Sequence, residues 1–171
     1  FDVVLVGSIV THYKWIKWLT LKVKQHHPAT TIIVGNSVGG SCPDVFMKNS
    51  LADIVVVGEG EDATIATLRC LEKKGDLASI AGIVWRAEDE TVVHNERRKA
   101  RKTLDEFAMP DWSLFDFEKY REKRPALIDE NDESDLGMPV ATARGCVFRC
   151  TFCHFVFWDD PYRYRSPDSI L

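Results

Sequence analysis

The sequence DIVVVGEGE, residues 53–61, decides the fold of this chain. Its run of β-branched apolar residues does not alternate with polar ones, which is typical of a strand buried on both faces. A glycine-containing turn follows, and residues 62–74 have helical spacing that ends at Gly75, a residue type that caps helix C-termini. The stretch therefore predicts a strand, a tight turn and a helix, the unit from which parallel sheets with covering helices are built.

The same unit occurs twice more toward the N-terminus. Short apolar runs predict strands at residues 2–7 and 31–34, and helical spacing predicts helices at residues 12–25 and 43–50. In the first helix we expect Trp15, Leu19 and Val23 to face the sheet, with Trp18 beside them. The pattern predicts an α/β fold with a partial doubly wound, Rossmann-like parallel sheet. Since three strands are few for such a sheet, one or two further strand–helix units are expected before Phe1.

The pattern changes after residue 78. Residues 81–86 and 91–94 flank a polar turn and predict a β-hairpin. An irregular stretch with several aromatic residues follows, and we interpret its acidic end, residues 129–135, as a loop. We predict three parts, namely a partial sheet domain, a hairpin with a linker, and a strand followed by a loop, at residues 1–78, 79–138 and 139–171.

Composition narrows the possible classes of protein. Of the 171 residues 45% are hydrophobic, so the chain can bury a core, and no apolar run is long enough to span a membrane. The net charge of −4 argues against a dedicated nucleic-acid binder, and the basic run at residues 97–102 is then a solvated loop. The opening residues lack the features of a signal peptide. We therefore expect a cytoplasmic protein.

Three of the five cysteines, Cys146, Cys150 and Cys153, crowd into eight residues directly after a strand predicted at residues 139–145. Crowded thiols are typical of a metal site in a reducing compartment rather than of a disulfide framework. Their spacing lets one tight loop hold three corners of an iron–sulfur cube and leaves the fourth iron open to a ligand. The alternatives are a structural zinc site, with His154 or another residue as its fourth ligand, and a chance clustering of cysteines.

The loop resembles the cysteine motif of radical S-adenosylmethionine enzymes, which is CxxxCxxC after a strand with an aromatic residue, here Phe152, before the last cysteine. The resemblance implies that the three cysteines hold a 4Fe–4S cluster, with Phe152 beside the cofactors. It implies that the open iron is chelated by the amino and carboxylate groups of S-adenosylmethionine, and that one electron from the cluster cleaves the sulfonium to release a 5′-deoxyadenosyl radical. It also implies that residues 139–171 begin a (β/α) barrel, with the cluster loop after its first strand.

The N-terminal part resembles the cobalamin-binding domain that precedes the barrel in one subfamily of these enzymes. The likeness is carried by DVVLVGS, IIVG, DIVVVGEGE, MPDW and YRYRSP, at residues 2–8, 32–35, 53–61, 109–112 and 162–167. In open parallel sheets, ligands bind beyond the carboxyl ends of the strands. The residues expected to contact cobalamin there are Ser8, Ile9, Val10, Gly35, Asn36, Gly58, Glu59, Gly60 and Glu61.

Two features of this part bear on the cobalamin prediction. The DxHxxG motif of familiar cobalamin domains is absent, and His12 lies where we expect a helix to begin, so a bound cobalamin would lack a histidine lower ligand. Asn36 stands where many relatives have a second glycine after the middle strand. The alternative is a scaffold without cobalamin, in which the glycines only shape tight turns and Glu59 and Glu61 favour the start of a helix.

These resemblances together imply a radical enzyme of which this chain is a fragment, cut at both ends. We expect methyl transfer to an unactivated carbon of a small-molecule substrate, with cobalamin relaying the methyl group and a flavodoxin or ferredoxin supplying electrons. A cobalamin-independent radical cyclisation or rearrangement is one alternative, and a non-catalytic zinc-binding module, including one that binds RNA, is another. No residue of this chain is assigned a catalytic role, since nothing places the paired carboxylates Asp159 and Asp160 as an acid and a base.

Overall fold

The computed structural model describes residues 1–122, 140–148, 150–153 and 160–171, and within them the chain divides into two compact units. The first unit comprises Phe1–Ala100 with Phe148–Asp159, and the second comprises Arg101–Val147 with Asp160–Leu171. The first holds the predicted sheet, and the second holds the strand that leads to Cys146. The acidic stretch at residues 129–135 and the paired Asp159 lie outside the described residues.

The first unit is built, in the residues that the structure describes, on a five-stranded sheet with the order β1-β2-β3-β4-β5. The strands are β1 (Val3–Gly7), β2 (Thr31–Gly35), β3 (Ile54–Val56), β4 (Ile83–Arg86) and β5 (Val92–His94). The first three are parallel, with Val34 opposite Val55, which confirms the predicted parallel strands. The predicted hairpin is also confirmed: β4 pairs antiparallel with β3, and β5 pairs antiparallel with β4. The hairpin thus extends the same sheet, and the domain boundary after residue 78 stays a prediction.

Helices cover both faces of this sheet. They are α1 (Tyr13–His26), which follows a 3₁₀ turn at Val10–His12, α2 (Ser37–Gly40), α3 (Pro43–Asn49) and α4 (Gly60–Glu72). On one face Ile16 of α1 and Phe46 of α3 pack in a core with Val34, and on the other face Ala63 of α4 packs with Ile33. Successive residues of β2 point to opposite cores, as strand geometry requires, so the doubly wound arrangement is confirmed. Among the described residues, no helix is both long enough and apolar enough to cross a membrane.

The buried face of α1 differs from the predicted one. Ile16 and Thr20 are fully buried, whereas Trp15 and Trp18 are 53% and 52% exposed. Thr20 can be buried because its hydroxyl donates to the Lys17 carbonyl at 2.9 Å and accepts from the Leu51 N–H at 3.2 Å. The prediction that Trp15 faces the sheet was therefore wrong, whereas Val23 does pack against the core. The residues Ile16 and Thr20, which were not predicted, supply the fully buried positions of the helix.

The second unit consists of short elements. They are 3₁₀ turns at Leu104–Glu106 and Trp112–Leu114, α5 (Phe117–Glu122), β6 (Ala143–Arg144), β7 (Arg163–Tyr164) and α6 (Pro167–Ile170). In the described residues the strand predicted at residues 139–145 covers two residues, and it pairs antiparallel with β7, which was not predicted. The last helix begins at Pro167, and Ser166, directly before it, does not cap it with its side chain. Instead, the Ser166 N–H donates to the Asp105 carboxylate at 2.9 Å.

Candidate functional site

The carboxyl ends of β1 and β2 are joined by hydrogen bonds between the loops that follow them. The Val38 N–H donates to the Ser8 carbonyl at 3.1 Å, and the Val10 N–H donates to the Ser37 hydroxyl at 3.1 Å. The predicted contact segment Ser8–Val10 therefore lies against the predicted segment at Asn36. This result follows from the topology, because parallel neighbours end at the same edge of a sheet.

Asn36 adopts a backbone conformation that is close to exclusive to glycine, with φ 64° and ψ −169°. Such a conformation costs a non-glycine residue about 1–3 kcal/mol and is concentrated at functional sites. Its side-chain oxygen accepts a hydrogen bond from the Ser37 N–H at 2.6 Å and caps α2. The asparagine thus adopts a conformation that glycine would take without strain, and it offsets part of the strain with its own side chain.

The turn after β3 forms the third segment of this edge. Gly58 has φ +85°, Glu59 lies directly before α4, and Gly60 is the first residue of that helix. Glu61 falls in the first helical turn, where the helix dipole favours a carboxylate. The helix α2 packs close to the end of β3, since a Cβ atom added to Gly40 would lie 3.3 Å from the Val56 carbonyl oxygen.

The backbone at this edge is open at two of its glycines. A Cβ atom added to Gly35 or Gly58 would meet no described atom within 4 Å, so open space adjoins the backbone at both positions. Ile9 and Val10, which are 51% and 57% exposed, add apolar surface to the same edge. A ring that needs close approach to the backbone and an apolar support, as a corrin does, is compatible with these residues.

His12 takes part in the local structure of this edge. It lies directly before α1, as expected, and its Nδ1 is hydrogen-bonded to the Ser8 hydroxyl at 2.8 Å. The histidine therefore helps to fix the loop after β1.

Cys146 follows β6 in the second unit and is exposed. Gly145, between the strand and the cysteine, has φ +84°. A Cβ atom there would collide with the Pro161 carbonyl oxygen and would lie 2.9 Å from the Pro161 carbonyl carbon and 3.0 Å from the Asp160 oxygen. Both the backbone conformation and the lack of space require glycine before the first cysteine.

Cys150 and Cys153 lie in a tight turn of the first unit, with the Cys153 N–H donating to the Cys150 carbonyl at 3.0 Å. Both are partly buried, while Phe152 between them is 91% exposed. The five cysteines, all within the described residues, form no disulfide. His154, one candidate for the fourth ligand of the zinc alternative, lies outside the described residues.

The metal-ligand prediction itself is not tested by the geometry. In the part of the chain that the structure describes, no three His, Cys, Asp or Glu side chains are grouped so as to hold a metal ion. The chemistry of the donors nevertheless fits an iron–sulfur cluster. The chain offers three thiols, a glycine that permits a sharp turn before Cys146, and a second turn that contains Cys150 and Cys153. Ligation by the three cysteines stays a prediction.

A group of buried basic residues in the second unit was not anticipated. Arg163 and Arg165 are only 6% and 8% exposed, although arginine is rarely buried in proteins. Their guanidinium groups donate to backbone carbonyls, which makes the burial possible. No local sequence signal reports such partners, since Arg101 and Phe107, which supply the carbonyls, are some sixty positions away.

No protein-family model matches the chain. Among curated proteins it is similar to the anaerobic magnesium-protoporphyrin IX monomethyl ester cyclase of Rubrivivax gelatinosus, with 29% identity over 162 residues, which cover 89% of this chain and 27% of the cyclase. The chain thus spans about a quarter of the length of that relative.

Two solved structures share the fold. One is the cobalamin-dependent S-adenosylmethionine radical enzyme OxsB with aqua-cobalamin and S-adenosylmethionine bound, with a TM-score of 0.71 and 22% identity over 99% of this chain and 23% of that one. The other is the radical S-adenosylmethionine methyltransferase TsrM from Kitasatospora setae, with a TM-score of 0.71 and 16% identity over 99% of this chain and 33% of that one.

The fold is therefore that of a segment of the radical S-adenosylmethionine enzymes that include cobalamin-dependent members, and the resemblance drawn from the sequence is confirmed. The similar proteins described above are themselves enzymes, a cyclase in one case and a methyltransferase in another.

Proposed function

We propose that this chain is the cobalamin-binding and cluster-loop part of a radical S-adenosylmethionine enzyme that transfers a methyl group to a small-molecule substrate. The observation that carries the proposal is the open, glycine-lined edge at the ends of three parallel strands, followed in the same chain by three closely spaced cysteines. A fold shared over 99% of the chain with a cobalamin-dependent radical enzyme supports it.

Cys146, Cys150 and Cys153 would hold a 4Fe–4S cluster, which, when bound, supplies the electron that cleaves S-adenosylmethionine. The chain itself presents the ligands. Gly145 lets the backbone turn sharply before Cys146, and the hydrogen bond from the Cys153 N–H to the Cys150 carbonyl closes the turn that carries the other two thiols.

The edge of the sheet would hold cobalamin through shape rather than through a ligating histidine. Gly35 and Gly58 leave room for a ring beside the backbone, and Ile9 and Val10 offer it apolar surface that excludes water. His12 is hydrogen-bonded to Ser8, which supports a structural role for this histidine.

A radical cyclisation without cobalamin is the second candidate function. The cyclisation itself is favoured by the match to the Rubrivivax cyclase, which covers 89% of this chain. In that case the glycines of the sheet edge would only shape turns, and the cysteine loop alone would carry the cofactor chemistry.

The test uses full-length protein purified without oxygen and mixed with hydroxocobalamin, S-adenosylmethionine and a chemical reductant. We expect cobalamin to co-elute with the protein in gel filtration and S-adenosylmethionine to be consumed. The variant Gly35→Leu should lose cobalamin but keep its iron, because the new side chain would fill the open space at the edge. Protein that consumes S-adenosylmethionine but never retains cobalamin would contradict methyl relay and favour the cyclisation.

The proposal also covers the substrate class, the electron donor and the cellular compartment. The substrate is proposed to be a small molecule, the electron donor a flavodoxin or ferredoxin, and the compartment the cytoplasm. A reduced flavodoxin that replaces the chemical reductant in the same assay would support the donor, and failure of both carriers to do so would contradict it.

A further inference from the structure

In the second unit, the aromatic ring of Phe107 contacts the side chains of two arginines, one of which precedes Cys146 in the sequence. The guanidinium carbons of Arg101 and Arg144 each lie 4.8 Å from the centroid of the Phe107 ring. Phe107 is only 7% exposed. Cations at such distances are attracted to the face of an aromatic ring, and more strongly where water is excluded. Since Arg144 precedes Cys146 by only two positions, this contact holds the chain immediately before the cysteine.

Two buried arginines tie the strand β7 to the segment that carries Phe107. Arg163 donates through Nη1 to the Arg101 carbonyl at 2.6 Å and through Nε to the Pro161 carbonyl at 3.0 Å. Arg165 donates through Nη1 to the Phe107 carbonyl at 3.0 Å. Loss of these acceptors would leave a buried guanidinium group without hydrogen-bond partners, which is unfavourable in free energy. The bonds therefore fix the position of β7 relative to Phe107.

The strand β6 is in turn fixed to β7. Arg144 lies opposite Arg163 in the ladder, and the Arg165 N–H donates to the Thr142 carbonyl at 2.8 Å. At Gly145 the backbone approaches Pro161 too closely to admit a side chain. The chain therefore leaves β6 toward Cys146 in a direction set by side chains that are distant in sequence.

We propose that Phe107 and the arginines around it, namely Arg101, Arg144, Arg163 and Arg165, form a positioning group that fixes the direction in which Cys146 presents its thiolate to the iron–sulfur cluster. We call this set the Phe107–arginine group. The inference rests on the proposed function, since it takes Cys146 as a cluster ligand. Residues that orient metal ligands without touching the metal typically change metal affinity by about 10- to 100-fold when they are replaced.

The experiment compares anaerobically purified full-length wild type with Phe107→Leu and Arg144→Gln. Three quantities are measured: the rate at which an iron chelator removes the cluster, the electron paramagnetic resonance spectrum of the reduced cluster, and the melting temperature. We expect iron loss to be faster by about tenfold in both variants, with a shifted spectrum. Arg144→Lys should restore most of the wild-type behaviour, since it keeps a cation over the ring. Phe115→Leu is the matched control, because this aromatic residue of the same unit packs instead on Trp112.

The experiment distinguishes failure of the positioning role from failure of the proposed function. Wild-type protein without iron would overturn the proposed function, and this inference with it. A wild-type cluster combined with unchanged chelation rates and spectra in Phe107→Leu and Arg144→Gln would overturn only the positioning role. If Phe107→Leu fails to fold, Arg144→Gln decides the question alone, because Arg144 is partly exposed and its truncation leaves no large cavity. Equal effects in Phe115→Leu would also contradict the inference, since they would reflect general loosening of the unit.

Discussion

The carboxyl edge of the sheet and the strand that leads to Cys146 are held in place by different means. At the sheet edge, parallel register and a buried core set where the strands end, and side-chain hydrogen bonds of Ser8, Asn36 and Ser37 then fix the loops. At Cys146, a two-residue strand is held by arginines that donate to carbonyls from remote segments. The structure of the sheet edge therefore follows largely from the local hydrophobic pattern of the sequence, whereas the structure around Cys146 depends on a few specific polar contacts.

The largest expected effect concerns the cysteine loop. Cys150→Ala should abolish cluster loading, because a cubane held by three thiolates loses a corner that no neighbouring cysteine in the sequence can replace. Cys42→Ala, which removes an exposed cysteine outside the loop, is the matched control and should load normally. Iron and sulfide assays after anaerobic purification measure both. Equal iron in the two variants would show that Cys150 is not a ligand.

The next effect tests the core under the sheet edge. Ile16→Ala should lower the free energy of unfolding by about 2–5 kcal/mol, since it leaves a cavity at a fully buried position. Trp15→Ala, one position earlier and half exposed, should change it by less than about 1 kcal/mol. Chemical denaturation of both variants makes the comparison. A larger loss for Trp15→Ala would restore the helix face expected from the sequence and contradict the observed one.

A smaller effect is expected at Asn36. Asn36→Ala should cost about 1–2 kcal/mol, because it removes the side-chain bond to the Ser37 N–H and keeps the strain of a β-carbon in this conformation. Asn36→Gly should cost less, since glycine adopts this conformation without strain and offsets part of the lost bond. The free energies of unfolding of the two variants are compared. A glycine variant as unstable as the alanine variant would mean that the backbone at Asn36 is not strained.

The smallest effect concerns acid and the second unit. Hydrogen bonds from the backbone N–H and side chain of Ser166 hold the pKa of the Asp105 carboxyl below its usual value. Because the pKa of Asp105 is lower in the folded state than in the unfolded state, the ionised carboxylate stabilises the folded state at pH values above the unfolded-state pKa of about 3.9. This stabilisation is lost as the pH falls through the folded-state pKa. Hydrogen exchange of the Ser166 amide should therefore speed up on acidification in wild type, after correction for intrinsic exchange. In Asp105→Asn this extra acceleration should be absent, and its persistence would contradict the assignment.

The same contrast explains what the sequence predicted and what it did not. The three parallel strands and the hairpin were predictable because β-branched runs such as residues 54–57 report burial directly. The buried face of α1 was not, because the hydroxyl of Thr20 finds partners only in the folded chain. The helix α2 was missed, since four residues that include two glycines carry no helical pattern.

The candidate site divides in the same way. The cysteine spacing and the glycine turns are local signals, so both candidate regions could be predicted from the sequence, although their ligands stay predictions. The structure brings the predicted segments at Ser8 and Asn36 together. The Phe107–arginine group has no local signal. Its contacts join residues about sixty positions apart, and an arginine is expected at the surface unless its partners are known.

The most direct test of the account is the spectrum of the reduced, full-length protein before and after addition of S-adenosylmethionine. We expect about four iron and four sulfide ions per chain and an electron paramagnetic resonance signal that changes when S-adenosylmethionine binds the open iron. Colourless protein that contains one zinc ion, or a cluster signal that S-adenosylmethionine leaves unchanged, would contradict the proposed function.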